Sequence, residues 1–200
     1  MVVVVIIAIL AVIAVPSFAK RLRGRHLLQI AGRMADVYRG ARARALGRGA
    51  AVLVNLNLAT GDFQALEGVE GTNTAKGFGA TKSTCANLPT RGCLTNDWTN
   101  VSAGATVGTA RVVDNIPNAS ITATVTLPSG TVQTSGVVAV CFSPAGRTYI
   151  TSSAAPKTPD VWQALNGAAV IDITSTDPNN LTVRDYQVIV MPNGTTRLAP

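Results

Sequence analysis

Charge is scarce in this chain, and acidic charge is almost missing from its first quarter. Only 14% of the 200 residues are charged and 4% are aromatic, with one histidine and three cysteines. The single histidine, His26, has no carboxylate near it in sequence, and the acids are scattered without a pair in a general acid–base or metal-binding motif. Cys85, Cys93 and Cys141 lack zinc-ligand spacing with one another or with His26. Gly77-Phe-Gly79 has no helical pattern behind it to make a phosphate cradle. These absences argue against an enzyme and leave no catalytic residue, metal site or cofactor to name.

What is abundant is apolar sequence, 47% of the chain, concentrated at its start. Residues 1–19 (Met-Val-Val-Val-Val-Ile-Ile-Ala-Ile-Leu-Ala-Val-Ile-Ala-Val-Pro-Ser-Phe-Ala) carry no charge, and the first fifteen are apolar without a break. As a helix this run reaches ~28 Å, close to the thickness of the hydrocarbon layer of a bilayer. Such a segment is inserted in a membrane, cleaved off, or packed against copies of itself. Ser17-Phe18-Ala19 before Lys20 would suit signal-peptide cleavage, which would release a secreted β-rich domain. Against that, nothing basic precedes the run, and helical periodicity continues beyond the cut.

From Leu22 to Gly47 apolar residues recur at three- and four-residue steps: Leu27, Ile30, Ala31, Met34, Val37, Tyr38, Ala41 and Ala45. Arginines fall between them. Residues 1–48 hold nine Lys/Arg and one acid, Asp36, for a net of +8, while residues 49–200 hold eight basic and nine acidic residues. The overall +7 therefore belongs to the first helix, which the glycines of Gly47-Arg-Gly49 should stop. Pro16 and Gly24 are its expected weak points.

Beyond Ala50 the period changes to two. Strands are expected near residues 50–58, 63–66, 109–113, 121–127, 131–134, 137–142, 149–151, 169–174 and 181–191, with a hairpin at Pro192-Asn-Gly194 leading into 195–198. Residues 67–100 and 152–168 read as loops. Cys85 and Cys93 lie in a polar, Thr/Asn/Gly/Pro-rich stretch and Cys141 in the apolar run Val137–Phe142, so the expected disulfide is Cys85–Cys93, with Cys141 a buried free thiol. The fold class is then α+β, with a long N-terminal helix packed on an antiparallel β-sheet domain. Its expected parts are a hydrophobic segment 1–19, a basic amphipathic continuation 20–48 and a β-rich domain 49–200.

Met1 to Pro16, with its small residues Ala8, Ala11 and Ala14, resembles the N-terminal segment of type IV pilins and type II secretion pseudopilins in order and spacing. The family's Gly-terminated leader and its Phe-Thr-Leu-Ile-Glu-Leu segment do not precede it here, as expected of an internal start or a trimmed chain. A missing basic leader would also reconcile the basic residues Lys20–Arg25 with a domain outside the cytoplasm. The direct passage from helix to strand at Ala50, and the runs 138–147 and 188–197, are similar to GspH/FimT-like minor pseudopilins. The resemblance implies a pilin-like fold whose helix has a transmembrane first half and an amphipathic second half. It also implies a structural role, with Val5, Ile6, Ile9, Leu10, Ile13 and Pro16 forming the membrane and assembly helix. The implied partners are other pilin or pseudopilin subunits, inner-membrane lipid before assembly, and the secretion or pilus assembly machinery. The implied location is the bacterial inner membrane, single-pass, with the globular domain in the periplasm. DNA is a lesser candidate partner, since some FimT-like relatives act in DNA uptake, and Arg184 and Arg197 are the residues to test for it. An adhesive minor pilin is a further alternative.

Overall fold

The computed structural model describes residues 2–68, 93, 106–111, 120–152, 162–176 and 185–200. Helix α1 (Val2–Arg48) runs through Pro16 and Gly24 without interruption and ends where anticipated. Gly49 takes a left-handed φ of 68° and its amide donates to the Ala45 carbonyl, so the last turn is closed by a residue with no Cβ to clash. The 3.6-residue periodicity is realised in packing. Leu27, Ile30, Ala31, Met34, Tyr38, Ala41 and Ala45 are buried, and Val37 packs at the rim of the core. Alanines along this stripe let the helix backbone approach the strands closely.

Eleven strands follow among the described residues: β1 (Val52–Asn57), β2 (Asp62–Glu67), β3 (Thr106–Arg111), β4 (Ser120–Thr126), β5 (Val132–Gln133), β6 (Val137–Phe142), β7 (Thr148–Thr151), β8 (Gln163–Ala164), β9 (Ala169–Thr176), β10 (Tyr186–Val190) and β11 (Thr196–Ala199). They form two antiparallel sheets, one ordered β3-β2-β1-β6-β7-β8 and the other β11-β10-β9-β4-β5. Strand β8 falls inside a stretch that reads as loop, because two residues are too short to show a period.

This corrects the expected architecture of a long helix on one antiparallel sheet. The strands divide between two sheets, the described residues are mostly β, and α1 packs against both. One core joins the buried helix stripe to Val52, Val54, Leu56, Phe63, Val138, Val140 and Phe142 of the first sheet. It continues into Val125, Ile171, Ile173, Val188 and Val190 of the second. Alternation tells which face of a strand is buried but not which strand lies beside it. Nor do the described residues include a helix long and apolar enough to cross a membrane, which corrects the transmembrane first half.

The first sheet is also covered on its other face. Leu53, Leu66, Ala139, Cys141, Cys93 and Trp162 form a second buried cluster there, with Tyr149 at its rim. Strand β6 is accordingly buried along both faces, as its unbroken Val-Val-Ala-Val-Cys-Phe composition suits.

The expected cysteine pairing is corrected as well. The bond joins Cys93 to Cys141, with Cα atoms 5.9 Å apart and a sequence separation of 48. Cys141 lies in a strand as foreseen, but its side chain points to the outer face of the sheet, where Cys93 is buried against it. Cys85 lies outside the described residues.

Candidate functional site

The helix carries the chain's concentrated positive charge, and the structure divides its arginines by task. Arg25, Arg33 and Arg39 are exposed, with Leu28 and Gln29 between them. Arg39 reaches Asp36 one turn back at 3.2 Å, and its Nε donates to the Thr196 carbonyl at 3.3 Å. Arg42 Nε donates to the Asn193 carbonyl at 2.9 Å. Both bonds fasten the helix to the β10–β11 hairpin. At the helix end, Arg44 and Arg48 both donate to the carboxylate of Glu67 at the end of β2, Arg48 at 2.7 Å to Oε1 and Arg44 to Oε2. Glu67 has no exposed side-chain surface, whereas the two arginines remain about one-third exposed (36% and 35%). A buried carboxylate needs such partners to stay ionised.

Between these anchors Tyr38 is buried, its ring set edge-on to Phe142 with centroids 6.3 Å apart. Burial raises its phenol well above the usual value of about 10. The hairpin turn is shaped to fit. Gly194 has φ +75°, and a Cβ there would lie 2.9 Å from Arg42 Cδ and 3.0 Å from Phe142 Cδ1.

Of the residues singled out from sequence, Val5, Ile6, Ile9, Leu10, Ile13 and Pro16 all fall within the α1 backbone. Arg197 is exposed in β11. Arg184 lies outside the described residues. Glu67 went unmarked in the sequence because a lone acid after an apolar strand shows no partner. The arginines that hold it lie 19 and 23 residues upstream.

A polar cavity of about 440 Å³ opens on the first sheet, lined by Asn55, Asn57, Thr60, Asp62, Phe63, Gln64 and Val137. Asn55 and Gln64 are direct cross-strand partners, and Asn57 stands opposite Val137. Asn57 Oδ1 accepts from the amides of Ala59 and Thr60, which folds the β1–β2 turn over one end. Asn55 Oδ1 is buried with no hydrogen-bond partner. Among the described residues no group of three or more His, Cys, Asp or Glu is placed to hold a metal ion.

Comparison of the chain with protein-family models, with curated proteins and with solved structures finds no match.

Proposed function

We propose that this protein is a structural subunit, of the minor class, of a bacterial filament of the type II secretion pseudopilus or type IV pilus kind, joining its neighbours through its apolar N-terminal segment. The observation that supports the reading most directly is one continuous helix, Val2–Arg48, that unites two unlike stretches of sequence. Residues 1–19 are uncharged and almost wholly apolar, whereas the stretch from Leu27 to Ala45 buries one face against both sheets. A helix built this way holds a globular unit firmly at one end and offers self-association at the other.

In this reading the apolar segment contacts inner-membrane lipid before assembly and other subunits afterwards, with the β-rich part in the periplasm. Burial of Val, Ile and Leu among neighbouring copies then replaces burial in lipid, at roughly 25 cal/mol per Å² removed from water as the common reference. The arginine network keeps the helix fixed to the sheets while the segment is transferred. The protein binds partners and transforms no substrate.

The test is a charge placed in the run. Val5→Asp or Ile9→Lys should abolish recovery of the subunit in sheared filaments while leaving the globular fold intact, since neither environment offers the charge a partner. Charged variants that still co-purify with filaments would refute the proposal. Mature protein beginning at Lys20 would refute it in favour of a secreted domain.

A further inference from the structure

The geometry points to the cavity on the first sheet as a binding site for a neutral, hydroxyl-rich ligand, a carbohydrate, independent of the filament reading. Period-two alternation puts Leu53, Asn55 and Asn57 of β1 on the outer face, together with Leu66 and Gln64 of β2 and Val137, Ala139 and Cys141 of β6. This face changes character along its length. At one end Leu53, Leu66, Ala139 and Cys141 are sealed under Cys93 and Trp162. At the other, apolar residues give way to the amides of Asn55, Asn57 and Gln64, and the surface opens into the 440 Å³ cavity. That volume is within the range of about 300–1,000 Å³ typical of small-molecule sites.

The lining chemistry selects the ligand class. Each amide carries donors and an acceptor in one planar group, which matches a hydroxyl that must both give and receive. Asn55 and Gln64 face each other across the ladder, with Cβ atoms about 4.5–5.5 Å apart by strand geometry. Two amides at that spacing can address neighbouring hydroxyls of one ring. Thr60 adds a hydroxyl, Asp62 a carboxylate and Val137 an apolar wall for the ring's C–H face.

Among the described residues that line the cavity there is no lysine or arginine, although Arg111 of β3 stands opposite Asp62 in the ladder. Among the described lining residues Asp62 is the single carboxylate, whereas a hard cation takes six or more oxygen ligands. An extended peptide would need an open backbone edge, but β1 is paired on both sides by β2 and β6, and β2 by β1 and β3. Asn55 supplies the second observation. Its buried, unpartnered Oδ1 is an acceptor that costs about 1–3 kcal/mol to leave unsatisfied. A ligand hydroxyl in the cavity satisfies it only if the Asn55 amide turns to bring that oxygen to the cavity surface.

The experiment uses the ¹⁵N-labelled full chain in a zwitterionic, sugar-free detergent, titrated with glucose, galactose, mannose and N-acetylglucosamine. Inorganic phosphate and an uncharged triglycine amide serve as the other arms. At least one sugar should produce saturable shifts of the Asn55 and Gln64 side-chain NH₂ resonances. Asn55→Leu and Gln64→Leu should each weaken binding about tenfold or more, a change of about 1.4 kcal/mol. Thr122→Ala, on the other sheet, should leave it unaltered. If Asn55→Leu does not fold, Gln64→Leu alone carries the comparison. Absence of saturable shifts with every sugar would overturn the proposal. So would undiminished affinity in the folded leucine variants, or a phosphate or peptide response at lower concentration than any sugar.

Discussion

Arg48 Nε donates a 2.7 Å hydrogen bond to Oε1 of Glu67, a carboxylate with no surface exposed to solvent. Arg44 takes the other oxygen from one turn earlier in the helix. The last turns of α1 are thereby stapled to the end of β2, where helix and first sheet must keep register. The staple is asymmetric. If the carboxylate is removed, both guanidinium groups can rehydrate from their half-buried positions. If the arginines are removed, the carboxylate stays enclosed without its guanidinium partners.

The variants should follow that asymmetry. Arg44→Met with Arg48→Met should cost about 3–5 kcal/mol, the range for stranding one member of a buried ion pair. Glu67→Leu should cost clearly less. Chemical denaturation of the two variants decides it, and a larger loss in Glu67→Leu would contradict the account.

Tyr38 makes stability sensitive to alkali. Its phenol is held above the ordinary value by burial, so between the unfolded pKa of about 10 and the higher folded value the unfolded chain loses the proton and the folded one keeps it. The contribution is complete below about pH 10 and declines as pH rises beyond it. Tyr38→Phe should therefore flatten the fall in melting temperature between pH 9.5 and 11, as tested at roughly half-unit steps around that tyrosine value. An unchanged slope would mean that Tyr38 ionises as readily in the fold as outside it.

Gly194 and Gly49 provide a matched comparison. Both have positive φ, at 75° and 68°, but only at Gly194 would a Cβ meet Arg42 and Phe142, at 2.9 and 3.0 Å. Gly49→Ala should cost about 1 kcal/mol, for backbone conformation alone. Gly194→Ala should cost roughly 2–4 kcal/mol, because overpacking adds to that strain. Equal losses in thermal melts would show that the hairpin yields freely.

Disulfide mapping should recover a peptide linking Cys93 to Cys141, with one free thiol per chain after denaturation without reductant. A bond closing a 48-residue separation restricts the unfolded chain by about 4 kcal/mol in the loop-entropy estimate. Cys93→Ser should approach that loss. A recovered Cys85–Cys93 peptide would reverse the assignment.

Local structure was readable from the sequence wherever a period persisted. The helix stripe from Leu27 to Ala45, the glycine stop at Gly49 and strands such as Val137–Phe142 lie where spacing placed them. Partnership was not readable. Nothing local reveals that β4 pairs with β9 rather than beside β2, and the second sheet follows from that choice. The same blindness misplaced the disulfide. A strand of small and apolar residues reads as core whichever layer it faces, and only the cover over the outer face shows what Cys141 meets. The Glu67 clamp and the amide cavity were hidden for a related reason, since each is made by residues that become neighbours only through pairing.

The division of labour along α1 gives the remaining prediction. Among the described residues its buried side chains begin at Leu27, and the bonds that tie it to the sheets come from Arg39, Arg42, Arg44 and Arg48. Removing residues 1–25 therefore leaves every described anchor in place and retains about 35 Å of helix. The shortened chain should be a soluble monomer that unfolds cooperatively and keeps the Cys93–Cys141 bond, yet it should no longer enter filaments. Sedimentation, a denaturant titration and recovery of sheared filaments from cells expressing the variant read the three properties separately. Aggregation or non-cooperative unfolding would mean that residues 1–25 belong to the core. A folded, monomeric variant that still enters filaments would mean that the apolar run is not what joins the subunits.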